Sequence, residues 1–253
     1  MLSAIISPAK QIQCEDFSPV PLTAPGLLSY SEPLLAHLKT LPYPDLKKLL
    51  ACNDKLATDA FEQLHNDHRP SGAAVLSYDG IQYKYMAPKV FSDAANRYID
   101  RHLRIVSGLY GLLRPFDRIQ PYRLEMGAKL RMGEYRSLYA YWGSRIADAI
   151  EGDTIINLAS DEYSKAVLPH AKGRRVITCT FAEALNGRLV EKGVYVKMAR
   201  GRMISFMAEN DIQNPADLRG FDEPGYCFSP EYSSENRLVF LKVPVEAPCR
   251  FDF

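Results

Sequence analysis

Four short segments set hydroxyls, carboxylates and basic side chains beside glycine or proline, where core packing alone gives no reason for them. ISPAK at 6–10 carries Ser7 and Lys10. SGLYGLLRP at 107–115 runs on to QPYRLEMG at 120–127, bringing Ser107, Tyr110, Arg114, Arg118, Tyr122, Arg123 and Glu125 close to Gly108 and Gly111. INLASDEY at 156–163 carries Asn157, Ser160, Asp161 and Glu162, and KMARGRM at 197–203 places Lys197, Arg200 and Arg202 around Gly201. Arginine offers a planar fork that fits phosphate. Glycine lets a ligand approach the backbone, and tyrosine stacks on a nucleobase. Asp161 and Glu162 have the chemistry of an acid/base pair, although a helix start attracts acids for its dipole alone.

The elements that must hold these segments alternate between strand and helix. Leu2–Ser7 reads as an opening strand. Leu46, Leu49 and Leu50, then Leu56, Ala57, Ala60, Phe61 and Leu64, recur at helical spacing on either side of a break at Ala51–Asn53, with Asp54 as a cap. Ala73–Ser77 reads as a strand ending at the Asp79-Gly80 turn. Ser92 caps a helix toward His102, Arg104–Ser107 is a buried strand, and Leu138–Ile150 has the pattern of one amphipathic helix. Thr154–Leu158, Arg175–Thr180 and Val194–Met198 read as strands, followed by a helix over Arg202–Glu209. Asn214-Pro215 with Gly220 brackets a short helix, and Tyr226–Phe228 with Arg237–Val243 forms a terminal hairpin. The expected fold is a single α/β (mixed α+β) domain over residues 1–253, with a mixed central sheet and flanking helices. Three of the four segments leave the end of an expected strand, where open α/β sheets place their binding sites.

Composition narrows the function classes. The chain has 47% hydrophobic and 24% charged residues and a net charge of +1, ordinary for a globular protein. No apolar run reaches the roughly eighteen residues of a membrane helix, and the N-terminus lacks the pattern of a secretory signal, so a cytoplasmic location without membrane partners is expected. Charge is unevenly spread. Residues 103–136 hold seven Lys/Arg against three acids, and 172–202 hold eight against two, whereas the stretch from Met203 holds nine acids against four bases. A basic middle of this kind suits an anion-facing surface. The five cysteines show no C-x-x-C spacing and read as free thiols. His65 and His68 lack a third ligand, so neither metal nor cofactor is expected. The commonest nucleotide-loop, zinc-protease and esterase signatures are absent.

Taken together, ISPAK, NDKLA (53–57), LRIVSGLYGLLRPFDRIQPYRLEMG (103–127), LYAYWG (138–143), INLASDEY, ARG (199–201) and LRGFDEPGYCF (218–228) resemble the YaaA peroxide stress protein family, in order and over most of the chain. The resemblance implies a cytosolic protein that limits oxidative damage under peroxide, is associated with lowered free iron, and binds DNA in a basic cleft. It also implies a helix-hairpin-helix element, which maps onto Asp45–Leu50, the turn Ala51–Asn53 and Asp54–Leu64, with Lys55 beside a phosphate. Cys52-Asn53 stands where that motif usually has glycines. On this basis the residues expected on duplex or locally unpaired DNA are Lys10, Asn53, Lys55, Arg104, Arg114, Arg118, Arg123, Lys165, Lys197, Arg200 and Arg202. A polar set, Ser7, Ser107, Tyr110, Tyr122, Glu125, Asn157, Ser160, Asp161 and Glu162, supports the alternative of an enzyme acting on a nucleotide, nucleoside or base. That alternative requires these side chains to meet in one pocket.

Overall fold

A computed structural model describes residues 1–243 apart from Asp16 and Pro224. Strands drawn from Leu2 to Lys242 join one mixed sheet. At its centre lies Leu2–Ile6, buried along its whole length and parallel to Leu103–Ser107 on one side and Thr154–Asn157 on the other. Arg175–Leu185 and Arg237–Lys242 continue the parallel array. Gly111–Leu113 and Tyr226–Phe228 close its two edges antiparallel. Central strands covered on both faces need near-continuous apolar residues, and LSAII and LRIVS meet that need apart from Ser3, Arg104 and Ser107. The expected mixed α/β class and the terminal hairpin are present.

Where local chemistry is strong, elements fall as expected. Ser92 caps Asp93–His102 by accepting from the Ala95 amide. Asn214 does the same for the short helical turn Pro215–Gly220. Elsewhere packing overrides local preference. Ala73–Ser77 is not a strand: only Gly72–Ala73 is extended, and Ala74–Ser77 forms one buried helical turn. Leu138–Ile150 is two short helices, Leu138–Trp142 and Arg145–Asp148, broken at Gly143-Ser144. Val194–Met198 is the start of the long helix Gly193–Glu209. Its β-branched residues suggest a strand, but the helix gains its stability by packing against Ile81–Met86 and Asp93–His102. Asn53, rather than Asp54, caps Asp54–His65, accepting from the Leu56 amide at 3.0 Å. Cys14, Cys52 and Cys179 are free thiols. Cys227 is disulfide-bonded, which corrects the expectation that all five thiols are free, and Cys249 lies outside the described residues.

His102 ties the helix Asp93–His102 to the first strand through Nδ1 and the Leu2 carbonyl, 2.8 Å apart. Burial holds its pKa below the ordinary 6.5, and the nearby Arg101 and Arg104 act in the same direction. The fold therefore prefers neutral imidazole. That contribution is complete above the unfolded value, about pH 6.5, and is lost as pH falls through the lower folded value. The melting temperature is expected to drop as pH is lowered below about 6.5, and His102→Gln should flatten that part of the profile. An equally steep profile in the variant would place the acid sensitivity elsewhere.

Candidate functional site

The chain leaves the central strand toward Leu103–Ser107, but it leaves Thr154–Asn157 toward Arg175–Leu185 on the opposite side. Two adjacent parallel strands with diverging exits open a crevice at their carboxyl ends. Ser7 and Ser160 meet there. The Ser160 amide donates to Ser7 Oγ at 2.9 Å, the two hydroxyl oxygens lie 3.1 Å apart, and the Tyr83 hydroxyl donates to the Ser7 carbonyl at 3.0 Å. Asn157 is a positioning residue. Its Oδ1 accepts from the Ala159 amide at 3.1 Å and its Nδ2 donates to Thr178 Oγ1 at 3.3 Å, turning the chain so that Ser160 faces Ser7.

Beside the two serines runs a chain of buried hydroxyls. Ser107 Oγ accepts from the Tyr110 amide at 2.9 Å and lies 2.6 Å from the Tyr122 hydroxyl, which lies 2.7 Å from that of Tyr78. Tyr110 meets Tyr122 edge to face at 5.3 Å. Burial raises the pKa of Tyr78, Tyr83, Tyr110, Tyr122 and Tyr163 above the ordinary phenol value. These groups therefore act as neutral donors and acceptors rather than as phenolate bases.

Glu125 completes the arrangement. Its Oε1 receives Lys10 Nζ at 3.1 Å and Arg123 Nη2 at 3.2 Å. Glu162 Oε1 accepts from the Gly127 amide at 2.8 Å and so pins the segment that carries Glu125. A cavity of about 250 Å³ opens between Lys10–Gln13, Tyr122–Arg123 and one face of the helix Asp54–His65, with Leu56, Asp59, Ala60 and Gln63 on its wall. Ser7, Lys10, Ser107, Tyr110, Tyr122, Arg123, Glu125, Asn157, Ser160 and Glu162 thus lie toward one end of the sheet, but of the polar set only Tyr122 lines this cavity, together with Lys10 and Arg123.

The basic residues do not all follow. Arg104 is 4% exposed, and its guanidinium is spent on the carbonyls of Asp100 and Leu103 and on Glu151. Those partners precede or begin strands, so the Arg104 guanidinium lies at the amino end, opposite the crevice. Arg114 joins it there through Asp100 at 2.7 Å. Neither is therefore in the crevice with Lys10 and Arg123. Arg118 is exposed and reaches Ser71. Arg202 pairs with Glu223 and lies over the Tyr85 ring, beside a different cavity. Asp161, Lys165 and Lys197 are exposed.

Tyr43–Leu50 and Asp54–His65 do form two packed helices joined by three residues. The left-handed residue of the turn is Ala51, not Asn53. Asn53 already occupies the Leu56 amide, and the Asp54 carboxylate sits in the first turn, paired with Lys47. A phosphate at this helix start would meet a resident carboxylate. The second helix contributes its side to the cavity rather than its end, with Lys55 and Asn53 exposed. His65 uses both ring nitrogens on carbonyls, of Phe61 and Lys39. Gly108 and Gly201 approach other parts of the chain, Leu124–Glu125 and Gln82–Met86, rather than open space. Tyr78, Tyr83 and Tyr163 escaped sequence reasoning, because nothing in their local pattern separates them from packing tyrosines.

The family model described as peroxide stress protein YaaA matches residues 2–232. A UPF0246 protein of Desulfitobacterium hafniense is 44% identical over 97% of this chain and 100% of its own length. One from Lactiplantibacillus plantarum is 44% identical over 95% of this chain and 99% of its own, and one from Agathobacter rectalis is 41% identical over 94% and 98%.

Proposed function

This chain belongs to the YaaA family of peroxide stress proteins, and we propose that it serves the stress response by binding DNA without sequence preference, admitting a locally unpaired nucleotide to the crevice at the carboxyl ends of Leu2–Ile6 and Thr154–Asn157. The observation that carries this is the convergence of Lys10 and Arg123 with Tyr122 around one cavity, the Tyr122 hydroxyl being tied behind it to Ser107 and Tyr78. Cationic side chains suit a phosphate, and tyrosine edges with neutral hydroxyls suit a base that has left its stack. Held in this way, DNA is protected from oxidative damage in the cytoplasm. Among the described residues no three His, Cys, Asp or Glu side chains group to hold a metal, and no helix is long and apolar enough to cross a membrane.

Titration of duplex and bubble-containing DNA over a range of salt tests the proposal. Lys10→Ala and Arg123→Ala should each weaken binding about tenfold and lower the salt slope by about one. Arg114→Ala, at the opposite end of the sheet, should leave it unchanged. Absence of any complex at low salt, or equal losses in all three variants, would sink the crevice as the binding surface.

Catalysis on a nucleotide, nucleoside or base in the same crevice is a second reading, favoured by Glu125. Both of its cations engage Oε1, while Oε2 takes no hydrogen bond among the described residues, and a carboxylate with one free oxygen can serve as a base or nucleophile. Product analysis by mass spectrometry after incubation with nucleotides and oligonucleotides decides it. Turnover lost in Glu125→Gln supports chemistry, and unchanged substrates with the wild type exclude it for those substrates.

A further inference from the structure

The cavity that holds Lys10 and Arg123 is also lined by groups that phosphate binding does not call for. Asp59 and Gln63 stand one turn apart on the helix Asp54–His65, on the same side. Gln11 and Gln13, two residues apart on an extended stretch, share a direction in the same way. Among the described residues none of these four side chains makes a hydrogen bond or ion pair, and all four residues are exposed, so they are open to a ligand. In the same cavity the Nε of Arg123 is buried and meets no acceptor. Ile12, Leu56, Ala60 and the Tyr122 ring supply apolar surface beside them.

A wall that received only phosphate would carry lysine or arginine where Asp59 stands, because a carboxylate repels that anion. Apolar surface rimmed by amides and a carboxylate suits a base that has left its stack. The faces of such a base pack against apolar or aromatic groups, and its Watson–Crick edge is read by hydrogen bonds.

Which base fits follows from Asp59. An ionised carboxylate only accepts hydrogen bonds. Guanine presents two adjacent donors on its Watson–Crick edge, N1–H and the N2 amino group, which match two carboxylate oxygens as a bidentate, charge-assisted pair. Adenine and cytosine set one amino donor beside a ring nitrogen with a lone pair. Thymine sets N3–H between two carbonyls. Each of these three turns a lone pair toward the carboxylate.

We propose that the crevice selects guanine, with Asp59 as the residue that determines specificity. The proposal rests on the reading above that an unpaired nucleotide enters the crevice. Duplex DNA is still bound without sequence preference, since a paired guanine keeps both donors for cytosine. Lys10 and Arg123 take the phosphate, and the side of the helix Asp54–His65 reads the base.

Fluorescence anisotropy of the full chain with a duplex carrying one bulged nucleotide tests this. The wild type should bind bulged guanine about tenfold more tightly than bulged adenine, cytosine or thymine. Inosine, which lacks the N2 amino group, should lose most of that preference. Bulged 7-deazaguanine, altered only at the opposite edge, should bind as guanine does. Asp59→Asn, a change at an exposed position that leaves stability nearly unaltered, should bind the four bulges alike. The same variant should bind fully paired duplex more tightly than the wild type, because a negative charge has left a phosphate-facing surface.

Equal affinity of the wild type for the four bulges overturns the proposal, as does a guanine preference retained in Asp59→Asn. Inosine bound as tightly as guanine, or a preference lost with 7-deazaguanine, would put the contact at another edge and overturn it as well. Absence of any complex at low salt removes the DNA reading and the guanine site together. Binding without base preference removes the guanine site alone.

Discussion

Gly201→Ala is expected to destabilise the protein by about 3 kcal/mol, among the largest effects of any single methyl group in the chain. In most helices this substitution stabilises, by about 1 kcal/mol, because alanine is the better helix former. Here the added Cβ would overlap the Gln82 carbonyl oxygen and come within 2.9 Å of the Met86 amide nitrogen. Both are backbone atoms of the helix Ile81–Met86, so no side-chain rotation relieves the overlap. One helix must move away from the other, and the bond from Ser205 Oγ to the Met86 carbonyl, 2.7 Å, goes with it. The loss reaches the site because Tyr83, on the displaced helix, holds the Ser7 carbonyl. Urea unfolding of wild type and variant measures the difference. A change within about 0.5 kcal/mol, the range of an ordinary surface substitution, would mean that the two helices do not pack so closely.

The uneven legibility of this chain has physical causes. Strands at the centre of the sheet were readable because burial on both faces demands unbroken apolar runs, and capped helices because Ser92 and Asn214 make their own hydrogen bonds. The turn at Ala74–Ser77 was not, since a short apolar run satisfies a buried strand and a buried helical turn equally well. Leu28–Thr40 was hidden by Pro33, which stands inside that helix. In the crevice, Ser7, Ser107 and Ser160 could be chosen in advance because each follows the end of a readable strand. Arginines resisted the same treatment: a sum of charges over 103–136 cannot say that Arg104 and Arg114 lie at the amino end of the sheet while Arg123 lies at the other. Arg200 and Arg202 look equivalent as letters, and only the phase of their helix separates a half-buried cation from an exposed one. That phase follows only from the helix beginning at Gly193, where the β-branched Val194 and Val196 suggest a strand.

Gly108→Ala should separate the fold from the site. Gly108 follows the strand Leu103–Ser107, and a Cβ there would strike the Leu124 carbonyl and lie 3.2 Å from the Glu125 carbonyl carbon. The Leu103–Ser107 strand is locked in the sheet on both sides, and the Trp142 indole donates to the Gly108 carbonyl at 3.0 Å. The looser partner, the irregular segment Gln120–Gly127, is therefore the one that yields. Its displacement would stretch the 2.6 Å contact of Tyr122 with Ser107 and disturb the Lys10–Glu125–Arg123 cluster. Overpacking of this kind costs about 1–3 kcal/mol, which a domain of this size tolerates. A displacement near 1 Å in an aligned polar site lowers function about a hundredfold. The variant should therefore fold with native circular dichroism yet lose most of its preference for bubble-containing over duplex DNA. Gly26→Ala, where a Cβ meets nothing within 4 Å, should change neither property. Full bubble preference in a folded Gly108→Ala protein would show that the Tyr122–Glu125 segment does not form the site.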